Sequence, residues 1–305
     1  MTIQRIAVVG AGVIGASWTA FYLSKGFDVV VTDPAPDARE RLERSLRTVL
    51  GERRDELAAH LRFEAELSDA LAGVEFVQEN GPERLDLKRA LYERMDALLP
   101  AHVLIASSSS GLTMSAIQTA CAHHPQRCLI AHPFNPPHLI PLVELVGGDA
   151  TSRDAIDAAR RFYDGLGKVT IVLNKEMPGH VANRLAAALF REVYHLVGEG
   201  VVSVADADKA VSWGPGLRWG LMGQSLIYHL GGGEHGIAHF LDHLSGPMTS
   251  WWDDLGTPSF NPDVDGQLID ALREIQGTRT MQALGAERDR LLVELIDARR
   301  RSFLP

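Results

Sequence analysis

The chain has 305 residues, 46% hydrophobic and 23% charged, a composition that builds a globular core, divides into two domains at this length, and excludes a mainly disordered chain. Its 39 acidic against 30 basic residues leave a formal charge of −9, which gives no attraction to nucleic acid or anionic membrane and points to a small-molecule partner. Only Cys121 and Cys128 occur, too few for a disulfide framework and without metal-site spacing, so both read as reduced thiols of a cytoplasmic protein.

The run Ile6–Ser24 is uncharged and follows Arg5, which raises the question of a signal peptide or a membrane helix. Gly10, Gly12 and Gly15 interrupt it after a short apolar strand, whereas a signal region stays apolar and ends in a small-residue cleavage site, so no membrane partner is expected. "RIAVVGAGVIG" passes from strand through glycines into "ASWTAFYLSKG", a stretch of helical length whose Gly26 suits a C-terminal cap. "FDVVVTD" is a second strand ending in Asp33, and the charged, amphipathic "ARERLERSLRTVLGERRDELAAHL" reads as helix exposed on one side. "VEFVQEN", "VLIASSSS" and "CLIAHPF" supply three later strands, with a helix in "LDLKRALYERMDALLP" between the first two. Strands alternating with helices imply an α/β fold built on a Rossmann-type, doubly wound, mostly parallel sheet.

From Pro178 the pattern changes. "HVANRLAAALFREVYHLVGEG", "VADADKAVSWG" and "LIDALREIQGTRTMQALGAERDRLLVELIDARRR" all read as helices, and strand patterns largely vanish. The expected division is therefore a Rossmann-type domain over residues 1–177 and an all-α domain over 178–305, joined at Pro178 and Gly179.

Gly10-Ala11-Gly12-Val13-Ile14-Gly15 is a GxGxxG turn that follows a strand and opens a helix. Gly10 permits the tight turn, Gly12 lets the backbone approach a pyrophosphate, and Gly15 allows close helix packing, while the helix N-terminus at Val13 and Ile14 faces the phosphate charge. Asp33 stands at the end of the second strand, where a carboxylate accepts hydrogen bonds from a ribose 2′-hydroxyl and repels a 2′-phosphate. The expected cofactor is NAD rather than NADP, which makes the first domain NAD-binding.

His132 ends "CLIAH" at the carboxyl edge of a strand, the side on which open α/β sheets bind ligands. Glu144 interrupts the apolar run "PLVELV", where an unpaired carboxylate is expensive to bury, so a partner is expected and an imidazole serves well. Oxidation of a secondary alcohol needs a base for the hydroxyl proton while hydride leaves the same carbon. A histidine titrates in the right range, and a carboxylate on its other nitrogen fixes the tautomer and stabilises the imidazolium.

"SSSSGLTMSAI", "AHPFNPPHLIPLVELV" and "PGHVANRL", in that order behind the glycine turn, resemble the 3-hydroxyacyl-CoA dehydrogenase family over most of the chain. "AHPFNPPHLIPLVEL" and "GLRW" are most similar to its lambda-crystallin branch, which includes L-gulonate 3-dehydrogenase and L-carnitine dehydrogenase, with "GPGLRWGLMG" leaning to the carnitine side. The resemblance implies that His132 is the catalytic histidine and Glu144 its paired glutamate. It also implies that Ser109 and Asn183 are polar groups beside the substrate, and that Glu83, Lys88 and Asn135 lie near the nicotinamide ribose and phosphates. A homodimer through the helical domain is implied as well.

The family's acyl-CoA enzymes carry a longer, basic helical excursion after the second strand, whereas here about forty residues of mixed charge separate Asp33 from the next expected strand near Val74. Arg218, in "GPGLRWG", has no arginine counterpart in those relatives; its guanidinium could clamp a free carboxylate through two parallel hydrogen bonds, or serve as a surface group. Trp213, Trp219, Trp251, Trp252 and Tyr228 fall close together, either as helical-domain core or dimer interface, or as an aromatic box for a quaternary ammonium. His235, His239 and His243 stand four apart without a supporting motif, and no metal is expected. The sequence thus reads as an NAD-dependent dehydrogenase of a small free 3-hydroxy acid of the L-carnitine or L-gulonate type. The alternatives are a short-chain 3-hydroxyacyl-CoA dehydrogenase and a non-catalytic, crystallin-like NAD-binding protein.

Overall fold

The glycine turn lies between β1 (Arg5–Val9) and α1 (Val13–Ser24) in a computed structural model that describes residues 3–304. Ile6, Ala7, Val8 and Val9 are all buried, and α1 is buried from Gly15 to Leu23, because a helix that is apolar all round belongs inside. Trp18 and Tyr22 are fully enclosed, with their rings stacked 5.3 Å apart. Gly26 follows α1 with φ of +85°, a conformation that ends a helix cheaply only at glycine.

After β2 (Asp28–Thr32) come α2 (Ala38–Leu50) and α3 (Arg53–Glu56). The long charged stretch read as one helix is thus broken: Gly51 takes φ of +57°, α3 is a single turn, and the chain enters β3 (Leu61–Phe63), which pairs with β2. The next strand after Asp33 is therefore β3 and not one near Val74. Next are α4 (Leu67–Leu71), β4 (Phe76–Glu79), α5 (Leu85–Leu98), β5 (Leu104–Ser107), α6 (Met114–Gln118) and β6 (Cys128–Pro133). β7 (Leu142–Gly147), α7 (Arg153–Gly165) and β8 (Val169–Val172) complete the sheet.

The sheet order is β3-β2-β1-β4-β5-β6-β7-β8. The first six strands run parallel, β7 turns antiparallel against β6, and β8 is parallel to β7. The chain order reverses between β1 and β4, and ligands of such sheets bind beyond the carboxyl ends of the strands at that point. β7 and β8 lie in stretches to which sequence pattern alone gave no element. Buried Lys168 fastens the β6–β7 loop: its ammonium donates to the carbonyls of Pro137 and Ile140 and stands 4.1 Å from the Phe21 ring centre.

Two units are distinguished, Met1–Arg184 and Leu185–Pro305. The amides of Val181 and Ala182 donate to Glu144 on β7, which keeps the turn after Pro178 with the first unit. The second unit comprises most of α8 (Ala182–Gly198), then α9 (Val204–Trp213), α10 (Pro215–Trp219), α11 (Gln224–Gly231), α12 (Gly236–Asp254), α13 (Pro262–Gln276) and α14 (Met281–Arg300). The sequence "LIDALREIQGTRTMQALGAERDRLLVELIDARRR" is thus two helices, separated at Gly277, whose φ is +59°. No described helix is long and apolar enough to cross a membrane.

Candidate active site

At the switch point the three glycines have separable roles. A Cβ on Gly15 would lie 1.8 Å from the Gly10 carbonyl oxygen, and one on Gly10, whose φ is +96°, would lie 2.6 Å from the Asn80 carbonyl oxygen. Both are required by the protein itself. A Cβ on Gly12 would meet nothing within 4 Å, so the space above it is open to a ligand. No side chain caps α1 and its first turn holds no acidic residue, which leaves its first amides and the positive end of its dipole for a phosphate. Asp33 is bound to this turn: Oδ2 accepts from the Ala11 amide at 2.8 Å and Oδ1 from the Ala35 amide at 2.9 Å. An open glycine, an uncapped helix start and a fixed carboxylate make a cradle suited to NAD.

His132 and Glu144 face each other across the antiparallel pair β6 and β7 as direct register partners. His132 Nδ1 is 2.8 Å from Glu144 Oε2, and the residues are 6% and 0% exposed. The other carboxylate oxygen, Oε1, accepts from the amides of Val181 at 2.9 Å and Ala182 at 3.0 Å. Burial pushes the Glu144 carboxyl up, but the bonds from His132 and from the two amides outweigh it and hold the group below the ordinary carboxylate range. An ionised carboxylate only accepts, so Nδ1 of a neutral His132 carries the proton and Nε2 keeps its lone pair. That is the tautomer a base needs.

Ser109 is 1% exposed and lies on the loop after β5. Its hydroxyl donates to Glu83 Oε1 at 2.7 Å, and the same oxygen accepts from the amides of Gly111 at 2.7 Å, Ser110 at 3.0 Å and Leu112 at 3.2 Å. Burial raises the Glu83 carboxyl, while the Ser109 hydroxyl, the Gly111 and Leu112 amides and the charge of Lys88 bring it below its usual range. Lys88 itself is buried: its ammonium is held by Glu79 at 2.7 and 3.0 Å and by the Gly81 carbonyl at 3.2 Å. Asn135 is exposed on the turn after β6, and Asn183 is half-buried in the first turn of α8, next to Ala182.

Residues 5–177 match the family model for the 3-hydroxyacyl-CoA dehydrogenase NAD binding domain, and residues 179–257 match that for the 3-hydroxyacyl-CoA dehydrogenase C-terminal domain. The chain belongs to the 3-hydroxyacyl-CoA dehydrogenase family. Over 302 residues it is 45% identical to an L-carnitine dehydrogenase of Streptomyces coelicolor, covering 97% of this chain and 95% of that protein. An L-carnitine dehydrogenase of Pseudomonas aeruginosa is 40% identical over 302 residues, 97% of this chain and 94% of that one. A solved structure of 5-formyl-3-hydroxy-2-methylpyridine 4-carboxylic acid 5-dehydrogenase, an NAD+-dependent dismutase, superposes with a TM-score of 0.82 at 28% identity, covering 98% and 99% of the two chains. As a member of this family the protein is an NAD-dependent oxidoreductase acting on a CH–OH group.

The first unit pairs His132 with Glu144 and Ser109 with Glu83 by direct hydrogen bonds, and His180 joins the two pairs, bonding the Ser109 carbonyl and lying against the His132 ring. In the second unit Arg218 is exposed in the last turn of α10, and Trp219 donates its indole N–H to Gln224 Oε1. His239 and His243 have ring centres 4.1 Å apart, and no described group of three or more His, Cys, Asp or Glu is arranged to hold a metal. Sequence reasoning overlooked two residues. Glu79 is a carboxylate within an apolar strand, the signal that singled out Glu144, and its partner is Lys88. His180 stands in "PGHVANRL" with a buried ring 5.0 Å from that of His132.

Proposed function

We propose that this dehydrogenase oxidises the 3-hydroxyl of a small free 3-hydroxy acid to the keto acid, with L-carnitine as the leading substrate. The observation that carries the reading is the buried His132–Glu144 pair with its fixed tautomer; the similarity to L-carnitine dehydrogenases supports the substrate class. Gly10, Gly12, Val13, Ile14, Gly15 and Asp33 would hold NAD, which would supply the hydride acceptor. His132 Nε2 takes the hydroxyl proton, and Glu144 stabilises the imidazolium that results. Ser109 and Asn183 hydrogen-bond the reacting oxygen and its neighbours, Ser109 by turning its single hydroxyl proton from Glu83 to the substrate, while the serine-loop amides keep Glu83 in place. Lys88 acts at one remove through Glu79 and Gly81, and Asn135 borders the cofactor from the loop after β6.

Residues 1–177 serve as the NAD-binding domain and 178–305 as the substrate and dimerisation domain. Arg218 would clamp the substrate carboxylate, which a thioester lacks, and Trp219 would stack against a quaternary ammonium. The exposed Trp213, Trp251, Trp252 and Phe260, at 77%, 60%, 66% and 77%, favour a homodimer that covers them. A cytoplasmic enzyme accords with the two free cysteines.

The decisive experiment is NADH formation with L-carnitine, D-carnitine, L-gulonate and 3-hydroxybutyryl-CoA as separate substrates, with light scattering for the oligomeric state. Turnover of L-carnitine well above the others is expected. Turnover of the thioester alone would put the acyl-CoA reading in its place.

A further inference from the structure

His180 is the only non-glycine residue with positive φ among the described residues, at +50°, and follows Gly179 at +75°. A non-glycine residue in the left-handed region is uncommon, though histidine is tolerated there better than most, and it persists where its surroundings hold it. Here two successive left-handed residues turn the chain so that the next two amides, of Val181 and Ala182, both point at Glu144 Oε1, an anion-binding nest made by the backbone. The side chain of the same residue goes elsewhere. It is 3% exposed, and its Nε2 lies 3.1 Å from the carbonyl oxygen of Ser109. A carbonyl only accepts, so Nε2 carries the proton, and Nδ1 is buried with no hydrogen-bond partner. The ring lies with its centre 5.0 Å from that of His132, tilted by 43°.

We infer that His180 is a positioning residue for hydride transfer: it ties the serine loop to the His132–Glu144 pair through one imidazole that bonds the Ser109 carbonyl and lies against the His132 ring. The inference rests on the reading of His132 as base and Ser109 as the group that meets the reacting oxygen. His132 and His180 are then opposite tautomers, Nδ1–H and Nε2–H, set by a carboxylate and a carbonyl respectively. An N–H at His180 Nδ1 would be buried without an acceptor, so the surroundings select the Nε2–H tautomer.

The test uses the NADH complex of the full chain. His180→Phe keeps a flat ring against His132 but removes the donor to Ser109, and His180→Gln restores a donor without the ring. In histidine-labelled nitrogen spectra, the wild type should show a protonated, hydrogen-bonded Nε2 that vanishes in His180→Phe; an Nδ1–H ring with an unprotonated Nε2 at this position would overturn the inference. With the alcohol substrate, kcat of His180→Phe should fall about tenfold or more, because a misplaced donor at the reacting oxygen is felt mainly in the transition state. KM and NADH affinity should change little, the melting temperature should fall by a few degrees at most, with the variant still folded, and His180→Gln should recover kcat to within about threefold of wild type. An undiminished kcat in His180→Phe, or an equal loss in a folded His180→Gln, would refute the positioning role while leaving the dehydrogenase reading intact. A wild-type enzyme inactive on every hydroxy acid would instead overturn that reading and the role with it.

Discussion

Glu144→Gln is nearly isosteric, yet its effect should be large. Oε1 of Glu144 accepts from two backbone amides and Oε2 from His132 Nδ1. A carboxamide has one accepting oxygen, and the two amides, fixed by the turn at Gly179 and His180, claim it. The NH2 group then faces His132, which can receive it only by moving its own proton to Nε2, and the lone pair that takes the substrate proton is lost. General base catalysis contributes about 10²–10⁴ in rate, roughly 3–5 kcal/mol of activation free energy, and that is the expected loss in kcat. The same tautomer trap costs serine proteases about 10⁴. Steady-state NADH formation measures it, with NADH affinity unchanged because Glu144 lies away from the glycine turn. A kcat within tenfold of wild type would refute the tautomer argument.

The pH dependence of stability has a definite sign. The folded Glu144 carboxyl lies below its usual value, so the stabilisation it contributes is fully present above the unfolded value of about 4.3 and is lost as pH falls through the lower, folded one. Urea unfolding of wild type and Glu144→Gln should show a stability difference that shrinks from about pH 6 to below pH 4; a flat difference would contradict the ionised Glu144 carboxylate. Gly12→Ala, whose Cβ meets nothing, should fold and melt as wild type while NADH affinity drops about tenfold or more, read by fluorescence titration. Gly15→Ala, with its Cβ 1.8 Å from the Gly10 oxygen, should lose both affinity and stability, the latter by about 1–3 kcal/mol or more. Asp33→Asn should raise the NADP+ to NAD+ ratio of kcat/KM by about an order of magnitude, since it removes a carboxylate that repels a 2′-phosphate. Lys88→Met leaves the fully buried Glu79 without its cation and should lower the unfolding free energy by about 3–5 kcal/mol.

The glycine turn, the alternating strands and the His132–Glu144 pairing were legible because each rests on a local rule: a positive-φ requirement, an apolar run, or the expense of an isolated carboxylate. The partner of Glu144 was inferred, but its two backbone amides were not, since they depend on a left-handed turn at a histidine that sequence rules do not favour. β3 was hidden in a charged stretch where helical periodicity of α2 ran on past Gly51. β7 and β8 were short apolar runs without alternation, and only their pairing defines them. Lys88 reads as a cofactor contact by resemblance, yet its ammonium is taken up by Glu79 and Gly81, a long-range partnership that no local pattern encodes.

Because His132 and Glu144 are partners in strand register, their separation is set by the ladder of β6 and β7 rather than by the eight residues of the connecting loop. A one-residue slip would turn Glu144 to the opposite face and would also disrupt the buried β7 side chains Val143 and Leu145. The proton-transfer pair is therefore insulated from sequence drift in the loop. The loop can change without moving the pair, provided that Lys168 keeps its carbonyl anchors at Pro137 and Ile140 and the His138 amide its hydrogen bond to Ser17, so the acid–base chemistry stays fixed in the sheet.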